Sequence, residues 1–516
     1  MHPRIFAMSH PEKAAAIMSD SGDFLTYGEL EKRANQGAQL FRSQGIENGD
    51  TIAVWITNCL GYYEIYWAAQ RAGLYICPIS SQLTAEEAAY ILNDSASRLL
   101  ITESGIRAAK ELLSGSADQL PDVEHIYQIG SGLDGIDCWN ISTSCFPEDP
   151  IDDEQAGFHL VYSSGTTGRP KGIRLPLTGG PATELHMLSE RLAGRYGANE
   201  NSVFLSPAPL YHTAPLAYTT MLQRLGATIV VMPKFDAKGA LAAIDRYKVT
   251  FAQMVPTMFI RMLNLPEETR RQYDVGSITH IVHAAAPCPV ETKHLMIKWL
   301  GPIIYEYYGG SEGNGSTFIT SEEWLGKPGS VGKADWGTIH ICDEQGNELP
   351  ANETGLVYFE GGWDFQYLND DKKTREARNP NHPAWSTLGD IGHLDKDGYL
   401  FLTDRKSFMI ISGGVNIYPQ EAENILIQHP AVEDVAVIGV PNPEMGEEVK
   451  AVVQPVNWEL AGDELAESLI EYCRDRLAHV KCPKSVDFDR KLPRHDTGKL
   501  YKQAIKKRYW AMNSTE

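Results

Sequence analysis

The chain has 516 residues, 43% of them hydrophobic and 22% charged, with 46 Lys and Arg against 67 Asp and Glu for a formal net charge of −21. That length exceeds a single ordinary core, so two or more domains are expected, and the composition excludes disordered and fibrous classes. The acidic balance argues against nucleic acid or an anionic membrane as partner, and the largest cation run, Lys506-Lys507-Arg508, reads as the solvated face of a C-terminal helix.

Ile52–Ile56 predicts a strand, Tyr62–Ala72 a helix with aromatic and small residues on one face, and Arg98–Thr102 a second strand. Leu160–Tyr162 predicts a strand that runs into Ser163-Ser164-Gly165-Thr166-Thr167-Gly168-Arg169-Pro170-Lys171. Hydroxyls, glycines and a lysine in one loop suit a polyphosphate. Glycine lets backbone N–H groups point at phosphate oxygens, and lysine adds a mobile positive charge. It is not a Walker A loop, because the fifth residue after Gly165 is Pro170 and Lys171 is followed by Gly172. Ala227–Met232 predicts a strand, Ala237–Tyr247 a helix and Phe251–Val255 another strand. This alternation predicts an α/β architecture with largely parallel sheets.

Further along stand four small or polar clusters: Ala284-Ala285-Ala286-Pro287, Tyr308-Gly309-Gly310-Ser311-Glu312, Trp385-Ser386-Thr387-Leu388-Gly389-Asp390, and Asp404-Arg405. Asp395-Lys396-Asp397-Gly398 predicts a hairpin turn. A helix is expected to open at Pro419, with Glu421 in its first turn, and Val432–Val440 to form a strand. The change of texture places a domain boundary at Arg405–Ser407. The eight cysteines contain no C-x-x-C pair, which predicts reduced thiols in place of a disulfide framework or zinc site. Residues 1–20 lack a signal-peptide pattern, and no stretch approaches the roughly 18 apolar residues of a spanning helix. A cytoplasmic protein with no integral membrane segment is the expectation.

The loop ending at Lys171 resembles the phosphate loop of the adenylate-forming superfamily, which includes acyl-CoA synthetases, peptide-synthetase adenylation domains and beetle luciferases. The segments at Ala284–Pro287, Tyr308–Glu312, Trp385–Asp390 with Arg405, and Pro493–Lys499 are similar to further motifs of that family, in the same order. The resemblance covers residues 20–510 approximately. It implies an α/β fold with a large N-terminal domain of mixed parallel sheets and helices (1–404), a hinge (405–407) and a small mobile α+β lid (408–516).

It also implies site roles. Ser163, Ser164, Gly165, Thr166, Thr167, Gly168 and Lys171 would hold the ATP phosphates. Ala285, Ala286 and Pro287 would face Tyr308 and Gly309 across the adenine. Ser311 would bond the α-phosphate, and Glu312 with Thr167 would hold Mg²⁺. Asp390 and Arg405 would bond the ribose; Leu388 stands where the family commonly has Thr. Lys499 would bridge the acid carboxylate and the α-phosphate. His212, in Pro209-Leu210-Tyr211-His212, would sit at the mouth of an acyl pocket widened by Gly310 and Gly313. Ser412-Gly413-Gly414 would form the coenzyme A channel, and Ser407, where relatives often have Lys or Asp, the hinge.

The implied reaction is ATP-dependent formation of an acyl-AMP, then transfer to coenzyme A with release of AMP, in fatty-acid or other lipid metabolism. A bulky apolar acid of the fatty, steroid or bile-acid type is expected, with a short-chain or aromatic acid as the rival. Loading of a carrier protein, a luciferase-like oxygenase and a non-enzymatic nucleotide binder are the other readings. The last should lack Lys499 or Glu312, and neither is missing. The sequence leaves open whether copies form a homo-oligomer.

Overall fold

A computed structural model describes residues 2–115, 120–163, 170–184, 186–494 and 500–512. Two sheets build most of the large domain. One has six parallel strands in the spatial order Asp137–Cys138, His125–Ile129, Ser97–Glu103, Thr51–Trp55, Tyr75–Pro78 and Phe158–His159. The other has nine, and its parallel centre runs Ile304–Gly309, His280–His283, Phe251–Met254, Val203–Ser206, Thr228–Val231 and Ala14–Met18.

These central strands are covered on both faces, which is why they read as continuous apolar runs instead of alternating ones. Successive residues enter different cores. Phe204, Ile229, Val231 and Phe251 join a core shared with Ile52, Val54, Leu99 and Ile101 of the six-stranded sheet. The helices Tyr27–Ser43, Gly61–Arg71 and Thr213–Arg224 contribute to that same core. Leu205, Val230, Ala252 and Met254 face the opposite side, under the helices Ala237–Tyr247, Pro256–Leu263 and Val290–Leu300. Local signals set the helix ends. Thr26, Thr84 and Thr320 each form a reciprocal cap with a glutamate three residues on.

A four-stranded antiparallel sheet, Thr338–Cys342, Gly355–Glu360, Ser386–Leu394 and Leu400–Arg405, closes the large domain. Its last hairpin turns at the expected Asp395–Gly398, where Asp395 Oδ1 accepts from the N–H groups of Asp397 and Tyr399. The sheet ends at Arg405, and the first strand of the smaller domain begins at Ile410. That domain wraps the long hairpin Val432–Asn442/Gly446–Pro455 with the helices Pro419–Leu426 and Asp463–Arg474 in one core and Lys502–Met512 against the other. Mixed α/β architecture with a smaller C-terminal domain is thus what the sequence led one to expect. No helix among the described residues is long and apolar enough to cross a membrane.

Candidate active site

Strand polarity gathers the motifs. In a parallel sheet the loops after each strand lie along one edge, outside the carboxyl ends, where such folds bind ligands. The segments 207–212, 284–289 and 310–315 follow the strands ending at Ser206, His283 and Gly309 and share that edge. Ala285 takes φ +74°, a left-handed conformation that costs an alanine about 1–2 kcal/mol. Ala285 and Pro287 are exposed there, and Ala286 is half-buried.

Tyr308 lies on the last residues of Ile304–Gly309, and its hydroxyl donates to Asp390 Oδ2 at 2.7 Å. The other carboxylate oxygen, Oδ1, accepts from Arg405 Nε at 2.9 Å. Asp390 and Arg405 face each other in the register of their hairpin, so the sheet itself presents the pair. Burial and the neighbouring Asp390 charge push the Tyr308 phenol well up, and the Asp390 charge raises the Arg405 guanidinium. At neutral pH the Tyr308 phenol is therefore neutral and the Arg405 guanidinium charged.

A second group lies alongside. Glu312 is 9% exposed, and its Oε1 accepts from the Tyr367 hydroxyl at 3.0 Å. Lys171 Nζ sits 4.9 Å over the same Tyr367 ring. Lys171 opens the strand Lys171–Arg174, which pairs antiparallel with Val161–Ser163 (Lys171 opposite Ser163) and with Gln366–Tyr367. Lys171 therefore stands at the open end of this strand pair, opposite Ser163. Burial and then Lys373 lower the Lys171 ammonium from its usual value. Ser311 Oγ and Thr213 Oγ1 share a hydrogen bond of 2.8 Å, which joins the strand-end loop to the start of the helix Thr213–Arg224. His212 is the N-terminal flanking residue of that helix, and its ring packs on Tyr211 with centroids 4.5 Å apart.

Ser164, Gly165, Thr166, Thr167, Gly168 and Lys499 lie outside the described residues. Of the others, the structure brings Tyr308, Asp390 and Arg405 into one bonded set and Lys171 and Glu312 onto one tyrosine. Gly310 and Gly313 have specific neighbours: a side chain at Gly310 would meet Leu388 Cδ1 and Glu312 Oε2, each at 2.7 Å, and one at Gly313 would run into the Trp363 ring. The space beside these glycines is therefore filled by Leu388, Glu312 and Trp363. Ser407 is exposed within the short turn Lys406–Phe408, while Ser412 is buried and the turn at Gly413 and Gly414 is exposed. The sequence reading missed Tyr367, Thr213 and Trp363. Each reaches the site through pairing with a distant strand or loop, which no local pattern announces.

Mg²⁺ characteristically takes one or two carboxylates plus substrate phosphates, and Glu312 at the Lys171 side of the site fits that donor set. No group of three or more His, Cys, Asp or Glu among the described residues could hold a metal ion without such a substrate.

The family model for AMP-binding enzymes matches residues 4–366, and the model of their C-terminal domain matches 421–499. The chain belongs to the AMP-binding, adenylate-forming enzymes. It is 32% identical to the feruloyl-CoA synthase of an Amycolatopsis species, over 96% of both chains. It is 28% identical to a long-chain-fatty-acid–CoA ligase of Mycobacterium tuberculosis, over 97% of this chain and 96% of that one. The crystal structure of ATP-bound MatB from Rhodopseudomonas palustris superposes with a TM-score of 0.83 at 26% identity, covering 99% of this chain and 100% of that one.

Proposed function

We propose that the protein is an AMP-forming acid–thiol ligase that converts a carboxylic acid to its acyl-AMP and then to an acyl-CoA. The observation that carries this reading is the bonded set Tyr308–Asp390–Arg405 beside Glu312, Tyr367 and Lys171 at the carboxyl edge of the nine-stranded sheet. An adenosine needs an aromatic face and a carboxylate for its two ribose hydroxyls. Tyr308 and Asp390 are already joined, so the two walls are set before a nucleotide arrives. Lys171 supplies positive charge for phosphate. Glu312 would hold Mg²⁺, whose charge draws density from the phosphates and eases departure of pyrophosphate.

In the first step the acid carboxylate attacks the α-phosphorus and pyrophosphate leaves. Two anions must approach, and Lys499 bridging carboxylate and α-phosphate lowers that barrier by position and charge. Ser311 donates to the α-phosphate once its hydroxyl turns from Thr213. In the second step the coenzyme A thiol attacks the acyl carbonyl, AMP leaves, and the thiol proton goes to solvent or to the departing phosphate. No covalent enzyme intermediate is needed.

The acid is a bulky apolar one. Relatives named for a fatty acid and for ferulate support this reading, and the latter favours a ring-bearing acid as the second reading. Pyrophosphate release should be measured over acids from acetate to medium-chain and aromatic ones, with and without coenzyme A. A hydrophobic site gains about 0.8 kcal/mol per buried methylene, so kcat/KM should climb with chain length until the site is full. A preference for acetate or propionate overturns the bulky-acid reading. Acyl-AMP formation with no thioester when coenzyme A is present points to a carrier protein as acceptor instead.

A further inference from the structure

Behind the exposed edge lies a buried polar cluster that none of the steps above uses. On the face of the nine-stranded sheet that packs against the helix Val290–Leu300, Ile281 and Ile304 are neighbours in register, and both are fully buried. One step nearer the carboxyl edge, the apolar row gives way to His283 and Glu306, again neighbours in register and 0% and 6% exposed. Lys293, on the first turns of the helix and itself 0% exposed, donates to Glu306 Oε2 at 2.6 Å. The His283 Nε2 lies 3.4 Å from that same oxygen, and the Lys293 ammonium also sits 4.8 Å over the Trp324 ring. Burial pushes the Glu306 carboxyl up against the opposing pull of Lys293, and burial holds His283 well below the usual range, so the imidazole is neutral.

The position of this cluster gives it a use. His283 is the last strand residue before Ala284-Ala285-Ala286-Pro287, and Lys293 lies on the helix that follows. Glu306 stands two residues before Tyr308 on the same strand, and therefore on the same face. The Lys293–Glu306 bond thus spans the two chain segments that flank the proposed adenine slot. The backbone points the same way. Ala285 is held at φ +74°, and a strained non-glycine conformation persists where its surroundings fix both ends of the segment. A buried ion pair contributes little net stability compared with an apolar pair of similar volume, but its bond has direction.

We propose that Lys293 and Glu306 are positioning residues for the nucleotide base, holding the Ala284–Pro287 wall at a fixed distance from Tyr308. This rests on the reading of Tyr308 and Ala285–Pro287 as the adenine slot.

The test uses Glu306→Gln, Lys293→Met and the double variant Lys293→Met/Glu306→Met, with steady-state kinetics on ATP and GTP and thermal midpoints for each. The single variants each leave one member of the buried pair without its counter-charge and should lose thermal stability. The double variant should keep a thermal midpoint close to wild type, because the charges are removed together. In that variant KM for ATP should rise about tenfold and the ATP-over-GTP ratio of kcat/KM should fall, with KM for the acid and kcat at saturating ATP nearly unchanged. A wild-type KM for ATP and an unchanged base ratio in the folded double variant overturn the proposal. So does a parallel change of KM for ATP, acid and coenzyme A, which is what general loosening produces. Tyr308→Ala serves as the control: if it leaves KM for ATP unaltered, the adenine reading itself has failed, whatever the ion pair does.

Discussion

At the scale of single residues, the pairing of Gly310 with Leu388 changes what a substitution there can mean. A side chain on Gly310 would meet the ends of Leu388 and Glu312, both of them flexible, so the alanine variant can fold by moving them. Moving Glu312 disturbs the carboxylate proposed for Mg²⁺. We therefore expect Gly310→Ala to lower kcat on every acid, about tenfold, with little change in the ratio between large and small acids. Leu388→Ala should have a small effect alone and restore most of the loss in combination, because it frees the space Glu312 would otherwise have to yield. Rates for the four corners of this double-mutant cycle on acetate and on a medium-chain acid decide it. Strict additivity would mean the two residues do not compete for one space. A selective loss of the larger acid would mean that Gly310 faces the acyl group after all.

At the scale of elements, the segment holding Lys499 is fixed on both flanks. Arg494 donates through Nε and a terminal nitrogen to both oxygens of Asp434, each bond 2.5 Å, and Arg494 bridges Leu500 in an isolated antiparallel pair. On the far side, Lys502 opens the last helix and pairs with Glu423 at 2.8 Å; the two are 6% exposed. Glu423 Oε1 also accepts from the Val437 N–H at 2.7 Å, which ties helix Pro419–Leu426, hairpin and last helix together. If Lys499 serves acyl-AMP formation, Lys502→Met should slow ATP–pyrophosphate exchange by about tenfold or more, since small misplacements of a reacting group are costly. It should leave conversion of supplied acyl-AMP to acyl-CoA nearly intact. Equal loss of both half-reactions would assign Lys502 to the stability of the lid alone. The elements themselves were largely legible: Ala237–Tyr247 has the predicted bounds, and the strands at 51–55, 97–103 and 251–254 lie within two residues of expectation. Apolar runs and a proline at a first turn are local signals. Tyr367 against Glu312 and Lys293 against Glu306 were not legible, because those contacts depend on which strand lies beside which.

At the scale of the whole molecule, the two half-reactions make different demands on one site, and we propose the connection at 405–407, between the sheet ending at Arg405 and the strand beginning at Ile410, as the joint between the two domains. Asp404 at the end of the large domain accepts from the Gln420 N–H at the start of a lid helix, at 2.9 Å, so this arrangement of the domains has its own bond to break. The Gly413-Gly414 turn lies on the lid with φ of +57° and +80°, and around it Ile411, Val415 and Met445 are 51%, 44% and 44% exposed. If the smaller domain turns this face inward, as we propose for the thiol step, an apolar rim beside two glycines would suit a narrow pantetheine arm. A side chain at Gly414 would have open space in the present arrangement, so bulk there should act in the thiol step alone. The left-handed backbone is the complication, since any branched residue at φ +80° adds strain of about 1–2 kcal/mol. Asn tolerates that conformation better than Leu, so the two substitutions separate bulk from strain. Gly414→Leu should accumulate acyl-AMP and slow thioester formation about tenfold or more, with ATP–pyrophosphate exchange unchanged. Gly414→Asn should stay within a few-fold of wild type in both steps. Rapid-quench measurement of acyl-AMP and acyl-CoA in a single turnover reads both quantities at once. Wild-type thioester formation by Gly414→Leu would put the thiol elsewhere. An equal defect in Gly414→Asn would trace the effect to the shape of the turn and not to its width.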